Sequence, residues 1–386
     1  MDPLSRAKPY RKHNSFAEIR QKKPLPDPRP RLEKLLADPS DLGLARDVAE
    51  TARLACRELL GISPAPPGHQ PFSLHASALE EISRLEDSEL PRYLHSRYRY
   101  EAYPDRKILD SFPPCLQVEP ASLCNFRCVF CYQTDAAFTR KSNGHMGMMS
   151  LDTFKRVIDQ AEGNVEAVSL ASRGEPLLCP SIQEMLAYTR GKFLALKLNT
   201  NASLLDEAKS HAILQSGVGT LVFSADAAQE EPYKKLRVGG DLRKVLENIR
   251  RFQEIRLKHY PRSRLLTRVS GVKVPGSSGP DEMEAFWGEF ADQVAFVNYN
   301  PWENAYEAPL SDIEAPCSDL WRRMFVWWDG CVNPCDVDFK STLSVGTLKD
   351  KNLSELWLSP AYARLRREHL ARRRSRLSPC SRCTLI

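Results

Sequence analysis

The sequence predicts an α/β fold built from repeated βα units, and three observations carry that prediction. Between Cys115 and Tyr299 six short apolar runs alternate with amphipathic segments, the pattern of a parallel sheet with helices packed outside it. No run of eighteen apolar residues interrupts the pattern, so no stretch reads as a membrane span. With 386 residues, 42% of them hydrophobic, the chain can bury the core of one large domain with additions, or of two domains.

In chain order, residues 1–108 differ in texture from the rest. Pro-rich stretches at 23–31 and 64–72 separate helical patterns at 42–60 and 76–92, which reads as a helical extension. Strands are expected at 115–118, 167–171, 194–198, 220–224, 265–274 and 295–299. Helices are expected near 151–161, 181–189, 205–215, 242–257 and 281–291. After Pro301 the pattern gives way to irregular sequence rich in Trp and Cys, one helix from Leu353 to about Arg374, and a terminal Cys pair. The expected organisation is an extension at 1–108, a βα domain at 109–305 and a small appended module at 306–386. In such architectures chemistry gathers in the loops at the C-terminal strand ends, and a group of cysteines begins just past the first strand.

The segment from Met1 to Pro24 is basic and polar and lacks the apolar centre of a signal peptide, which predicts a cytoplasmic chain. Thiols stay reduced there, so metal or cluster ligation is the leading explanation for eleven cysteines. The net charge of +6 comes largely from the basic N-terminus and the arginine run between Arg364 and Arg376. Such runs are ordinarily solvated faces, and neither nucleic acid nor membrane is an expected partner.

Cys124, Cys128 and Cys131 are spaced C-x3-C-x2-C. Structural zinc sites and Fe–S cubanes ordinarily take four ligands, so three thiolates leave one iron of a cubane open to a chelating ligand. The pattern resembles the radical S-adenosylmethionine (SAM) superfamily. The resemblance implies a 4Fe–4S cluster with SAM on its open iron, reductive formation of a 5′-deoxyadenosyl radical, and a partial (β/α)6, TIM-like barrel. It also implies roles for later residues. Phe130 fits the position whose backbone contacts adenine. Ser172, Arg173, Gly174, Glu175 and Pro176, at the end of the second strand, resemble the Gly-Gly-Glu-Pro motif that binds the SAM amino group, with Arg173 standing where the first Gly is expected. Asn199 and Asn201 after the third strand, and Ser224 and Asp226 after the fourth, are candidates for ribose and carboxylate contacts, although Asn and Asp are also common turn formers. Arg237, in a stretch that runs on to Val245-Leu-Glu-Asn-Ile249, is a candidate carboxylate contact.

Cys317, Cys335, Cys380 and Cys383 form a second set, C-x17-C-x44-C-x2-C. With Val345-Gly-Thr-Leu348 and Leu353-Ser-Glu-Leu-Trp357 they resemble the SPASM module in its shortened, twitch form, which implies an auxiliary 4Fe–4S cluster; on ligand count alone four cysteines suit zinc equally well. Cys56, Cys115, Cys179 and Cys331 are left over, and buried inert thiol is the default for each. Cys179 and Cys331 are also candidates for returning a hydrogen atom to a substrate radical.

A fully ligated auxiliary cluster suits electron transfer and favours oxidation. The arrangement is similar to radical SAM dehydrogenases that act on aminocyclitols, which implies oxidation, or related dehydration or epimerisation, of a carbohydrate-like sugar or cyclitol, with a flavodoxin or ferredoxin as reductant. Maturation of a ribosomal peptide is the alternative enzyme reading, and a zinc-stabilised RNA-binding protein the non-enzyme one. Tyr299, Asn300, Trp302 and Glu303, with Arg173 opposite, are candidates to face the substrate. Glu303 and Asp338 are candidates for a general base.

Overall fold

Strands form where apolar residues alternate, because successive side chains of a strand point to opposite faces. The protein, described by a computed structural model over residues 19–21, 24–37 and 44–386, contains β1 (Ile19–Gln21), β2 (Cys115–Val118), β3 (Arg127–Cys128), β4 (Ala167–Leu170), β5 (Ala195–Thr200), β6 (Thr220–Ser224), β7 (Arg237–Val238), β8 (Leu266–Lys273), β9 (Gln293–Asn298), β10 (Arg323–Val326), β11 (Cys331–Asn333) and β12 (Gly346–Thr347). Along β2, β4 and β5 every second residue is buried, and that set (Leu116, Val118, Val168, Leu170, Leu196, Leu198) joins the main hydrophobic core under the helices. The intervening Gln117, Ser169, Lys197 and Asn199 stand half-buried on the inner face.

The sheet runs β1-β9-β8-β6-β5-β4-β2-β10-β11-β12. Its central strands β2, β4, β5, β6, β8 and β9 are parallel and lie in chain order, as successive right-handed βα units demand. This is the six-unit barrel wall the sequence implies. The barrel is partial: β1 pairs antiparallel with β9 on one edge, and β10 pairs parallel with β2 on the other.

The helices are α1 (Arg29–Ala37), α2 (Arg46–Leu59), α3 (Ala76–Ser83), α4 (Leu90–Arg106), α5 (Ala136–Thr139), α6 (Leu151–Ala161), α7 (Ile182–Tyr188), α8 (Glu207–Gln215), α9 (Glu230–Leu236), α10 (Leu242–His259), α11 (Pro280–Trp287), α12 (Leu353–Trp357) and α13 (Pro360–Leu370). Side chains that accept from the first free backbone N–H groups start several of them: Ser150 for α6, Asp206 for α8, Asp241 for α10, Asn352 for α12 and Ser359 for α13.

Three elements differ from expectation. The helix expected at 76–92 is two, with Pro91 in the first turn of α4. The helix expected from Leu353 breaks ahead of Pro360, where Ser359 caps α13. The segment after Pro301 is less irregular than it reads, since β10 to β12 extend the barrel sheet, so the module at 306–386 shares the main sheet. Of the segment Met1–Pro24, residues 1–18, 22 and 23 lie outside the described residues, as do residues 42 and 43 at the start of the helix expected at 42–60.

The extension packs under the barrel, at the N-terminal strand ends. Arg84 donates to the carbonyls of Gly219 (2.6 Å) and Arg264 (2.7 Å), Arg99 to those of Asn164 (3.0 Å) and Phe112 (2.7 Å), and Arg92 pairs with Glu166 (2.6 Å). Each contacted residue precedes a strand, so α3 and α4 cover the face opposite the loops that hold the cysteines.

Candidate active site

The loop after β2 carries Cys124, Cys128 and Cys131, and three contacts fix its shape. Cys128 lies in β3, which pairs antiparallel with β7 so that Cys128 faces Arg237. The Arg237 guanidinium reaches the Cys128 sulfur at 3.9 Å and forms a 2.6 Å ion pair with buried Asp226, which also accepts from the Val272 N–H at 2.7 Å. The predicted carboxylate partner of Arg237 is thus supplied by the protein itself. Asn201 is likewise engaged internally: its amide donates to Asn125 (3.0 Å), and its oxygen accepts from Ser203. Asn248, inside the stretch Val245–Ile249, ties α10 to the same place by donating to the carbonyls of Ala202 (2.9 Å) and Ser203 (3.0 Å).

The turn after β4 lies directly against the cysteine loop. A Cβ on Gly174 would stand 2.3 Å from the Leu123 carbonyl oxygen and 2.5 Å from that of Ala121, so only glycine fits there. The Glu175 N–H donates to the Leu123 carbonyl at 2.8 Å. The Glu175 carboxylate accepts from the N–H groups of Leu177 (3.0 Å) and Asn201 (2.7 Å) and from the Thr200 hydroxyl (2.7 Å), pinning the turn to the end of β5. Burial still raises its pKa, the hydrogen bonds offsetting part of that cost. The carbonyl of Ser172 accepts from the Tyr132 hydroxyl (2.6 Å) and that of Arg173 from the Gln133 amide, and each keeps a second lone pair. The Arg173 side chain departs from expectation. It does not face a substrate space, because its guanidinium is buried against Glu119.

Among the buried polar atoms without a hydrogen-bond partner, four lie at or just beyond C-terminal strand ends: the Ser172 hydroxyl after β4, Asn199 Oδ1 in β5, Asn300 Nδ2 after β9 and Glu303 Oε2 just beyond. Orphaned polar groups are costly, and a polar ligand at these strand ends would satisfy these four. Ser224 lies half-buried at the end of β6 and Phe130 half-buried against the core. A cavity beside Asp226, lined by Gly271, Val272, Val274, Met283 and Phe296 at the end of β8, was not legible in the sequence, where those residues read as strand and loop.

The second cysteine set is brought together completely. Cys317, Cys335, Cys380 and Cys383 line one largely apolar cavity, walled by Leu320, Val337, Leu343, Leu365 and Leu385. Buried Arg374 donates to the carbonyls of Cys383 (2.9 Å), Cys380 (3.3 Å), Ala315 (3.0 Å) and Leu385 (2.8 Å), and so positions the terminal pair. His369 Nδ1 accepts from the Cys317 N–H at 3.1 Å, and burial, with Arg374 nearby, pushes its pKa down to about 3.

These residues fit iron–sulfur clusters. Backbone N–H groups two residues on point at the sulfurs of Cys124 (3.4 Å), Cys335 (3.3 Å) and Cys383 (3.4 Å), the contacts that stabilise cluster thiolates. Burial pushes Cys124 and Cys317 up to about 12 and raises Cys128, Cys131 and Cys380 as well. A Lewis-acidic metal is what offsets that cost. Among the described residues no three His, Cys, Asp or Glu side chains close on a point that one ion could share. Thiolates on a cubane bind different irons and stand further apart than that.

Residues 118–267 match the model of the radical SAM superfamily, and residues 317–384 match that of an iron–sulfur cluster-binding domain, SPASM. The chain belongs to the radical SAM superfamily. As a radical SAM enzyme with a SPASM domain it uses a 4Fe–4S cluster, an auxiliary cluster and SAM. A probable GTP 3′,8-cyclase of Methanococcus maripaludis is 26% identical over 136 residues, covering 35% of this chain and 43% of that protein, so the chain spans less than half the length of this curated relative. Among solved structures, Streptococcus suis SuiB bound to precursor peptide SuiA aligns with TM-score 0.51 at 16% identity, covering 82% of this chain and 78% of that one. Native anSMEcpe with bound AdoMet aligns with TM-score 0.50 at 17% identity, over 70% of this chain and 88% of that one. At these identities the likeness shows the fold alone. No helix among the described residues is long and apolar enough to cross a membrane.

Other expected residues fall outside the site. Cys179 is 2% exposed in the main core, its thiol against the Met149 carbonyl, which removes it from substrate reach. Cys331 starts β11 with its sulfur 3.1 Å from the Ser344 hydroxyl. Asp338 is buried and accepts from Tyr306 (2.7 Å), Thr342 (3.0 and 2.7 Å) and Leu343 (2.7 Å), so it props the four-cysteine cavity and is not placed to act as a base. Trp302 stacks on Tyr132 with ring centroids 6.2 Å apart. Tyr299 donates its hydroxyl to Glu303 Oε1.

Proposed function

We propose that the enzyme oxidises a hydroxyl-bearing small molecule of the sugar or cyclitol class, dehydration or epimerisation being the related outcomes. Cys124, Cys128 and Cys131 would hold the catalytic cluster, and Cys317, Cys335, Cys380 and Cys383 the auxiliary one. When bound, the first with SAM supplies a hydrogen-abstracting 5′-deoxyadenosyl radical, and the second, closed by four thiolates, supplies one-electron acceptance. The observation that carries the reading is the pair of orphans beyond β9: Asn300 Nδ2 is a free donor and Glu303 Oε2 a free acceptor, both buried, a combination that hydroxyl groups satisfy.

The roles of the chain's own residues follow. Gly174 lets the turn after β4 sit against the cysteine loop, leaving the carbonyls of Ser172 and Arg173 to accept from the SAM amino group. The Ser172 hydroxyl and Asn199 Oδ1 would meet polar ends of SAM, and Ser224 its ribose. The cavity beside Asp226, walled by Val272, Val274, Met283 and Phe296 with Ser277 and Ser278 at its side, would take adenine, with Phe130 close to Arg237 on its approach. Glu303, held by Tyr299, is the carboxylate available to take a proton from a substrate hydroxyl. A reductant of the flavodoxin or ferredoxin kind would deliver the electron that starts each SAM cleavage.

The test is dithionite-driven formation of 5′-deoxyadenosine by reconstituted protein with aminocyclitols and nucleotide sugars, beside short Cys- or Lys-containing peptides. Stimulation by a polyol, lost in Glu303→Gln, supports the reading. Stimulation by a peptide alone would replace it with peptide maturation. The extension leans against that outcome, since α3 and α4 occupy the barrel face opposite the site.

A further inference from the structure

Arg173 stands where a glycine is expected, and its side chain has to be accommodated beside Gly174, where the turn presses on the cysteine loop. It turns away from the site. The guanidinium donates as a fork to Glu119, Nε to Oε1 at 2.8 Å and Nη2 to Oε2 at 2.6 Å, while the Arg173 backbone N–H adds a third bond to Oε1 at 3.1 Å. Its remaining arm, Nη1, donates to the Phe339 carbonyl at 2.9 Å. The plane lies 4.1 Å from the Trp327 ring centroid and 5.4 Å from that of Phe138. Glu119 Oε2 also accepts from the Trp328 N–H at 3.2 Å. Neither partner of this pair is more than 2% exposed.

What the pair joins matters more than its strength. Glu119 follows the last residue of β2 and leads into the loop of Cys124, Cys128 and Cys131. Phe339 follows Cys335. The Phe339 ring packs 5.1 Å from that of Tyr132, the neighbour of Cys131, and 5.1 Å from that of Tyr306, which bonds Asp338 on the wall of the four-cysteine cavity. One guanidinium therefore grips the loop into the first cysteine set and the loop behind the second. A planar fork fixes direction as well as distance, which a lysine ammonium cannot do. A pair kept only to fill space would be replaceable by apolar side chains without consequence for either loop.

We propose that Arg173 is a positioning residue that sets the separation and orientation of the two metal centres through Glu119 and the Phe339 carbonyl. The proposal rests on the cluster assignments made above. It is tested by electron paramagnetic resonance of the dithionite-reduced, fully reconstituted chain, reading the microwave half-saturation power and dipolar broadening of the two cluster signals, with iron counted in every sample.

Arg173→Gln and Glu119→Gln should keep about eight irons yet shift the half-saturation power by about twofold or more, as expected when a supporting contact is loosened by about 1 Å. Arg173→Lys, which keeps the charge and loses the fork, should fall between them and the unaltered chain. Should Arg173→Gln lose iron, the other two variants carry the test. Unchanged spectra at full iron in Glu119→Gln and Arg173→Lys overturn the proposal. An unaltered chain that holds only about four irons would instead overturn the two-cluster assignment, and the proposal with it.

Discussion

At the residue scale the site depends on backbone contacts that leave no room for substitution. Gly174 is the clearest case, because any Cβ there meets the carbonyls of Leu123 and Ala121 at 2.3 and 2.5 Å. Gly174→Ala should therefore push the turn after β4 off the cysteine loop, costing about 1–3 kcal/mol of stability and, through misplacement of SAM, about 100-fold in the rate of 5′-deoxyadenosine formation. Thermal melting and a SAM-cleavage assay check the two effects separately. Cysteine spacing exposed the seven candidate ligands in the sequence, since ligand count and spacing are dictated by cluster chemistry. The fate of Arg173 was not visible, because its partners Glu119 and Phe339 are 54 and 166 residues away in sequence and only the folded sheet brings them together. Cys179 misled for the opposite reason: it follows the motif closely in sequence, yet the turn of Pro176–Leu178 directs its thiol into the core.

At the element scale α4 shows why the extension belongs to the barrel. Its residues Arg92 and Arg99 bond groups that precede β4, and Tyr100 accepts from Arg322 ahead of β10. His95, on the same helix, is held neutral: burial first, and Arg99 second, push its pKa down from 6.5 to about 4. Because the folded state binds this proton less readily than the unfolded chain, the imidazole leaves stability intact above pH 6.5 and removes it as pH falls toward 4. Acidification from pH 7 to 4.5 should cost the natural chain more than it costs His95→Gln, by an amount on the order of 2–3 kcal/mol, in parallel denaturant titrations. Equal losses would show that His95 titrates normally. Strand β2 was legible to the residue because its burial alternates along Cys115–Val118, and β6 because its short apolar run Leu221–Phe223 is bounded by Thr220 and Ser224. The hairpin of β10 to β12 was not, since the run Met324 to Trp328 is apolar throughout and carries no period of two.

At the scale of the whole molecule, one sheet carries both cysteine sets: β2 leads into the first, and β10, paired with β2, precedes the hairpin and loop that carry Cys335. The appended module read from composition is thus physically continuous with the barrel, and the two centres are linked mechanically through Tyr132, Phe339 and Arg173. The sets should nevertheless be separable chemically, because the terminal pair is positioned by Arg374 and not by the barrel loops. A Cys380→Ser, Cys383→Ser double variant should lose about four irons while SAM cleavage persists, with substrate oxidation abolished. Loss of all iron would mean that the first centre forms only with the second in place.

The chemistry proposed for the chain rests on its two metal centres. The most direct measurement is iron and acid-labile sulfide per chain in anaerobically reconstituted protein, taken with dithionite-driven conversion of SAM to 5′-deoxyadenosine on the same sample. About eight irons and eight sulfides, with cleavage, is the predicted result. Zinc in place of iron, or iron without cleavage, would contradict it.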